Sequence, residues 1–335
     1  MILHFDRKPL AEALEAAPEG VLDGKAVASA RLEQLAGLVP QLLDRGIQAT
    51  LAVVQVGEDE ASTIYIRHKI RACERLGIAS QHHHLEADVS YSELTGHLQE
   101  LNADSSIHGI LLQLPLPQRF DGSEIMQCID PQKDVDGFHP VNLGCLMTRK
   151  SLLEPCTPRG VLTLLRAAGV DPAGKDAVVI GRSVIVGRPM ALMLTRANAT
   201  TTLCHRHTAN LEGHIRRADL LVVATGVAEL VRGEWIKEGA VVIDVGISRK
   251  NGKLSGDVEF DTAHKRASWI TPVPGGVGPM TVAMLLENTI RAVCIQEGLV
   301  VRDEEVITTE EAGVRYQTVG GLGITSLCGE RRTTI

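Results

Sequence analysis

Short runs of branched apolar residues alternate along this chain with longer stretches whose apolar positions recur every three or four residues. That alternation is the signature of a parallel sheet flanked by helices. The runs at 50–56, 107–114, 177–180, 200–204, 220–224 and 241–245 predict strands, and the helical period predicts helices over about 26–45, 60–76, 91–103, 158–168, 188–197, 210–217 and 280–296. The fold class is therefore α/β. Two prolines in Glu154-Pro155-Cys156-Thr157-Pro158 precede a helix that leads into a fresh series of strands, which sets a domain boundary there. Residues 1–157 with 281–300 are expected to form one domain and 158–280 the other, because the helix from Met280 to Gln296 has no further strand to serve in the second unit and would cross back. Residues 297–335 carry acids, glycines and threonines with little period and read as a loosely ordered tail; 301–335 receive no role.

Composition narrows the function classes. The length of 335 residues suits about two domains. Its 34 basic and 41 acidic side chains give a formal charge of −7, without a dense Lys/Arg stripe, and 2 Trp, 3 Tyr and 4 Phe make no platform for stacked bases. Nucleic acid is not an expected partner. No apolar run approaches the roughly 18 residues a membrane span needs, and acids stand where a signal peptide would have its apolar core. The chain therefore reads as cytoplasmic, with no membrane partner. Seven cysteines without a Cys-x-x-Cys pair argue against a disulfide framework or zinc site, and no metal is expected. The run His82-His83-His84 reads as a solvated loop or strand end, since adjacent residues cannot all face one ion from a regular element.

Two regions carry candidate chemistry. In the stretch from Ala177 to Pro189 a buried strand runs into a glycine-containing turn and then a helix, aiming backbone N–H groups at a phosphate. Gly181 allows the tight turn, Ser183 offers a short donor, and Gly187 permits close approach. The pattern is G-x-S-x-x-x-G rather than G-x-G-x-x-G, and alone it equally describes an unliganded turn. The end of the next predicted strand reads Cys204-His205-Arg206-His207-Thr208, without the carboxylate that would accept from a ribose 2′-hydroxyl. Arg206, with Arg182, suits a 2′-phosphate, which favours NADP over NAD; the alternative is a solvated basic loop.

The second region lies between Glu58 and Gly77. Ile66, Ile70 and Cys73 form a core stripe, and Tyr65 and Lys69, four apart on the neighbouring stripe, share a face where a phenol and an amine converge on one ligand. A solvated lysine beside a half-buried tyrosine is the plainer reading of such a pair. Gln113 lies near the end of a strand stopped by Pro115 and Pro117, at the edge where open α/β sheets bind ligands, and a glutamine among leucines needs hydrogen-bond partners. Asp134 and Asp136 sit in a turn ended by Gly137, as turn caps or as ligand-binding carboxylates.

The segments YIRHK (65–69), GILLQLPLP (109–117), PQKDVDGFHPVNLG (131–144), PCTPRGV (155–161), GRSVIVGRPM (181–190) and TPVPGGVGPMT (271–281) follow one another in the order of a known family. From about Leu22 to Val293 the chain closely resembles the bifunctional methylenetetrahydrofolate dehydrogenase/methenyltetrahydrofolate cyclohydrolases. The resemblance implies a homodimer whose subunit has a folate-binding catalytic domain and a Rossmann-like NADP domain with the cleft between them. It implies oxidation of 5,10-methylenetetrahydrofolate and hydrolysis of the product to 10-formyltetrahydrofolate, a step of one-carbon metabolism. By resemblance, Lys69 is the catalytic lysine, Tyr65 packs on the folate, Gln113 tunes the lysine and Asp136 binds the pterin. Leu112 and Leu114 flank Gln113 among the substrate contacts, and Pro274, Gly275 and Gly276 line the folate and nicotinamide cleft. Gly181, Arg182 and Ser183 would hold cofactor phosphates, with Ile247 on the nicotinamide side. Many members have serine where this chain has Arg206, so the preference for NADP rests also on the charge argument. A dehydrogenase without the hydrolase step, a non-catalytic folate or nucleotide binder, and a Rossmann dehydrogenase acting on an amino or hydroxy acid are the competing readings.

Overall fold

A computed structural model describes residues 2–6, 8–148, 153–250 and 252–303. The first part of the chain contains β1 (Ile2–Phe5), α1 (Lys8–Glu12), α2 (Gly24–Leu43), β2 (Thr50–Val56), α3 (Glu60–Leu76), β3 (Ala79–Leu85) and α4 (Tyr91–Ala103). It continues through β4 (Gly109–Leu112), α5 (Gly122–Met126), α6 (Pro140–Thr148) and α7 (Cys156–Ala167). The second part contains β5 (Asp176–Ile180), α8 (Gly187–Arg196), β6 (Thr200–Cys204), α9 (Leu211–Arg217), β7 (Leu220–Val223) and β8 (Val241–Asp244). A hairpin of β9 (Ser248–Lys250) and β10 (Lys253–Ser255), then α10 (Phe260–His264), β11 (Trp269–Ile270), α11 (Val277–Gln296) and β12 (Val300–Asp303) complete it.

Two parallel sheets result, one of three strands in the order β3-β2-β4 and one of five in the order β11-β8-β7-β5-β6. In each the chain steps outward from a starting strand and then returns to that strand's other side, from β3 to β4 and from β6 to β7. Such reversals leave a crevice at the carboxyl ends of the strands on either side. The uninterrupted burial of Thr50–Val56 and of Val241–Asp244 follows from coverage on both faces, which parallel sheets require.

Local signals set the helix that carries the candidate chemistry. Asp59 caps α3 by accepting from the Ser62 N–H at 2.7 Å, and Gly77, at φ 75°, ends it in the left-handed conformation. Ile66 and Cys73 are buried on its inner face, as their spacing predicts.

A continuous core runs from α2 through α7 and α11 into one face of the five-stranded sheet. α11 packs on α2, α3, α7 and β4. Ion pairs reinforce this layer: Glu287, 1% exposed, accepts from Arg159 Nη2 at 2.6 Å and from Arg291 Nη2 at 2.8 Å, while Glu154 joins Arg159 to Arg196 on α8.

Three expectations change. The histidine run is solvated at His82 and His84, as expected, but it is no loop: it lies in the second half of β3, an edge strand in parallel register with β2, Val53 opposite His82. Its pattern of polar side chains gave no apolar signal, and pairing with β2 makes the strand. His82 Nε2 lies 3.1 Å from Gln55 Oε1, and His84 Nε2 lies 3.2 Å from the Gly57 carbonyl oxygen. The strand expected over 107–114 contracts to Gly109–Leu112. Beyond α11, Val300–Asp303 is not loose but pairs with Ile2–Phe5, a contact between chain ends that no local period reveals. The remainder of the expected tail lies outside the described residues.

Candidate active site

Lys69, Gln113 and Asp136 come together although they belong to different elements. The Lys69 amine donates to Gln113 Oε1 at 3.0 Å. Gln113 is fixed twice, by its backbone N–H donating to the Val54 carbonyl at 2.9 Å and by its side-chain amide donating to the Leu114 carbonyl at 2.6 Å. Because the amide nitrogen is engaged, the oxygen faces the lysine, whose ammonium has donors and no acceptor. Beside β4, the 130–137 segment is held by the Ile110 N–H donating to the Lys133 carbonyl at 2.7 Å, which brings Asp136 up to the same strand end.

The two aspartates of this turn differ in their surroundings. Asp134 is a turn cap, 3% exposed, accepting from the backbone N–H groups of Gly137 and His139 and from the Asn142 amide. Asp136 has no such ring of donors among the described residues and is partly open to solvent. Burial pushes its carboxyl up to about 6; the Lys69 ammonium pulls the other way and Asp134 adds to the rise. Tyr65, on the Lys69 face of α3, is 51% exposed, an aromatic ring left facing outward at the site. Leu114 is half-buried next to Gln113, whereas Leu112, 3% exposed, points into the core beneath.

Sequence reasoning missed the groups that stand behind this cluster. The buried Cys156 thiol, at the start of α7, donates to the Val135 carbonyl at 3.2 Å, and burial pushes it well above its ordinary range. Asn288, fully buried on α11, donates to the Val135 and Glu154 carbonyls, both at 2.8 Å, pinning the Asp136 turn to the linker. A polar residue inside the apolar run of α11 was the available signal.

The glycine turn after β5 is closely packed. At Gly181, φ is 117°, and a β-carbon there would lie 2.1 Å from the Ala224 carbonyl oxygen; one at Gly187 would lie 1.9 Å from the Gly181 oxygen. Backbone packing this close leaves no room for a side chain at either glycine and keeps the start of α8 against the turn. Ser183 Oγ accepts from the N–H groups of Val186 and Gly187 at 3.1 and 3.3 Å. In the β5–β6 register Ile180 pairs with Cys204, so Arg182 and Arg206, both exposed, each lie two residues beyond one paired position.

The 271–279 loop joins the two parts. The Lys25 N–H at the start of α2 donates to the Gly275 carbonyl at 2.9 Å, and Thr157 on α7 hydrogen-bonds Thr281 on α11 at 3.1 Å. Pro274 is exposed and Gly276 buried. Ile247, 46% exposed, reaches to 3.8 Å from the position of a β-carbon on Gly278. The Lys69 cluster therefore connects to Ile247 through the Asp136 turn, the start of α7 and the start of α11.

The family model of the tetrahydrofolate dehydrogenase/cyclohydrolase catalytic domain matches residues 22–136, and that of the family's NAD(P)-binding domain matches residues 155–297. The chain belongs to this family. Both domains of the tetrahydrofolate dehydrogenase/cyclohydrolases are thus present in one polypeptide, the Lys69 cluster within the first and the glycine turn within the second. A curated relative, the bifunctional protein FolD of Magnetococcus marinus, is 54% identical over 272 residues, 81% of this chain and 95% of its own. The crystal structure of the bifunctional FolD enzyme from Campylobacter jejuni is 48% identical, with a TM-score of 0.81, covering 82% of this chain and 99% of that one. The Trypanosoma brucei dehydrogenase-cyclohydrolase, solved with NADP cofactor and inhibitor, is 42% identical, with a TM-score of 0.78 over 82% and 97% of the two chains.

Proposed function

We propose that this chain oxidises 5,10-methylenetetrahydrofolate to the 5,10-methenyl cation, with NADP as oxidant, and hydrolyses that cation to 10-formyltetrahydrofolate. The observation that carries the reading is the amine of Lys69 held against the Gln113 oxygen beside the Asp136 carboxyl, in a chain that also has a dinucleotide turn. Gly181, Arg182 and Ser183 would hold the cofactor phosphates, Arg206 the 2′-phosphate, and Ile247 the nicotinamide side. When bound, the cofactor accepts the hydride that leaves the one-carbon bridge.

The residues of the chain divide the remaining work. Tyr65 packs on the folate, and the Asp136 carboxylate accepts from pterin N–H groups, supported by its place in a pinned turn. With the Leu114 and 274–276 segments bordering the substrate, the first step is chiefly one of positioning, since the nitrogens flanking the bridge stabilise the cation. The second step adds water to the cationic carbon, opens one carbon–nitrogen bond and releases one proton. Lys69 moves protons at the water oxygen and the departing nitrogen, the general acid–base task of this step. Gln113, neutral, orients that amine without locking it into an ion pair. A homodimer and a cytoplasmic setting complete the reading; the six described cysteines are free thiols, which supports a reducing compartment.

A coupled assay following NADPH appearance and methenyl decay tests both steps. Lys69→Ala is expected to lower hydrolysis by at least about 100-fold, the usual scale of general acid–base help, with NADP binding near normal. Hydrolysis at the wild-type rate would remove Lys69 from this role.

A further inference from the structure

We infer that Asp257 is a positioning residue for the nicotinamide end of the dinucleotide, acting through the turn Thr225-Gly226. Asp257 is fully buried, outside the Lys69 cluster, and its Oδ2 accepts three hydrogen bonds: from the Thr225 N–H at 2.6 Å, the Thr225 hydroxyl at 2.8 Å and the Gly226 N–H at 2.9 Å. These residues follow β7 at the carboxyl end of the sheet, and Ala224 just before them is the residue on which the Gly181 turn rests. A carboxylate bound by so many donors holds its partners in one geometry.

A second carboxylate braces the first. Asp244, at the end of β8, accepts from the backbone N–H groups of Gly246, Asp257 and Val258 at 3.0, 3.0 and 2.9 Å. The chain at Gly246 passes so near Asp257 that a β-carbon there would meet its carboxylate at 2.0 Å. One residue on stands Ile247, and the Ser248 hydroxyl returns to the Gly226 carbonyl at 2.9 Å. The two acids thus tie together the loops after β7 and β8, with exposed Val227 and Ile247 on their outer surface. An acid with no salt-bridge partner among the described residues is otherwise an expensive choice among apolar strands, and rigid loops at the cofactor end of the sheet account for it.

The inference rests on the dehydrogenase and cyclohydrolase reading, and the bifunctional chemistry separates the two. Asp257→Asn and Thr225→Val are assayed for NADP-dependent oxidation, for methenyl hydrolysis without nucleotide, and for NADPH binding by fluorescence titration. Asp257→Asn is expected to weaken NADPH binding and oxidation kcat/KM by tenfold or more, and Thr225→Val about threefold, with hydrolysis and folate KM within about twofold of wild type. Thr225→Val keeps the carboxylate and its two backbone donors, so it tests the turn even if Asp257→Asn does not fold. Loss of both activities in proportion, or unchanged NADPH binding in Thr225→Val, overturns the positioning role. Absence of either activity in the wild-type chain would instead refute the functional reading.

Discussion

Asp136→Asn should trade activity for stability, because burial holds the Asp136 carboxyl near 6 rather than at its ordinary 3.8. At about pH 8 an ionised group held up by that margin costs the fold about 3 kcal/mol relative to the unfolded chain. Asparagine has nearly the same shape and no charge to desolvate. It forgoes the attraction to Lys69 and needs partners of its own, so a net gain of about 1–2 kcal/mol is expected, or about 2–6 °C in Tm. The sign with pH follows from the same margin. Between the two values the native chain binds the proton that the unfolded chain has released, so the wild type loses stability as pH rises through that window. The advantage of the variant is fully present above about pH 7 and fades towards pH 4, which paired thermal melts across the range measure. In the same variant folate KM should rise about 10- to 100-fold, the scale of losing one or two charge-assisted hydrogen bonds. The wild type should show a rise in folate KM as pH falls below about 6, and the variant none. A variant less stable than wild type at about pH 8, with folate KM unchanged, would refute the assignment of Asp136 as a strained, ligand-binding carboxylate.

Three further outcomes follow from the same geometry. Gln113→Glu sets a carboxylate where an amide oxygen now lies 3.0 Å from the Lys69 amine, and the fixed ion pair should slow methenyl hydrolysis by about tenfold or more while NADPH titration is unchanged. Arg206→Ser should lower the ratio of kcat/KM for NADP over NAD by about 10- to 100-fold, the worth of a guanidinium on a 2′-phosphate; an unaltered ratio would assign the discrimination elsewhere. Gly181→Ala forces a β-carbon to 2.1 Å from the Ala224 oxygen at a φ of 117°, so weakened NADPH binding and a lower Tm, by about 1–3 kcal/mol of strain or more, are expected from titration and melting.

Most strands and helices were legible in the order of residues because apolar period is a local property: Thr50–Val56, Glu60–Leu76 and Tyr91–Ala103 fall where the pattern puts them. The motifs carried the family and its chemistry in the same way, through short segments in a fixed order. Elements whose stability comes from a distant partner were not legible. The polar strand Ala79–Leu85 exists because β2 pairs with it, and Ile2–Phe5 because Val300–Asp303 does. Gly181 and Lys69 stand in recognisable segments of the sequence, whereas Asp257 and Asn288 carry no motif of their own. Their contacts depend on which carbonyls and N–H groups the packed chain brings within 3 Å of them. The same division holds for Asp134 and Asp136, two residues apart in one turn: sequence presented two carboxyl groups of equal kind, and only packing gave one a ring of donors and left the other raised and facing Lys69. Residue identity fixes which chemistry a side chain is capable of, but its burial and its neighbours are sums over segments far apart in the chain, and those sums exist only in the folded molecule.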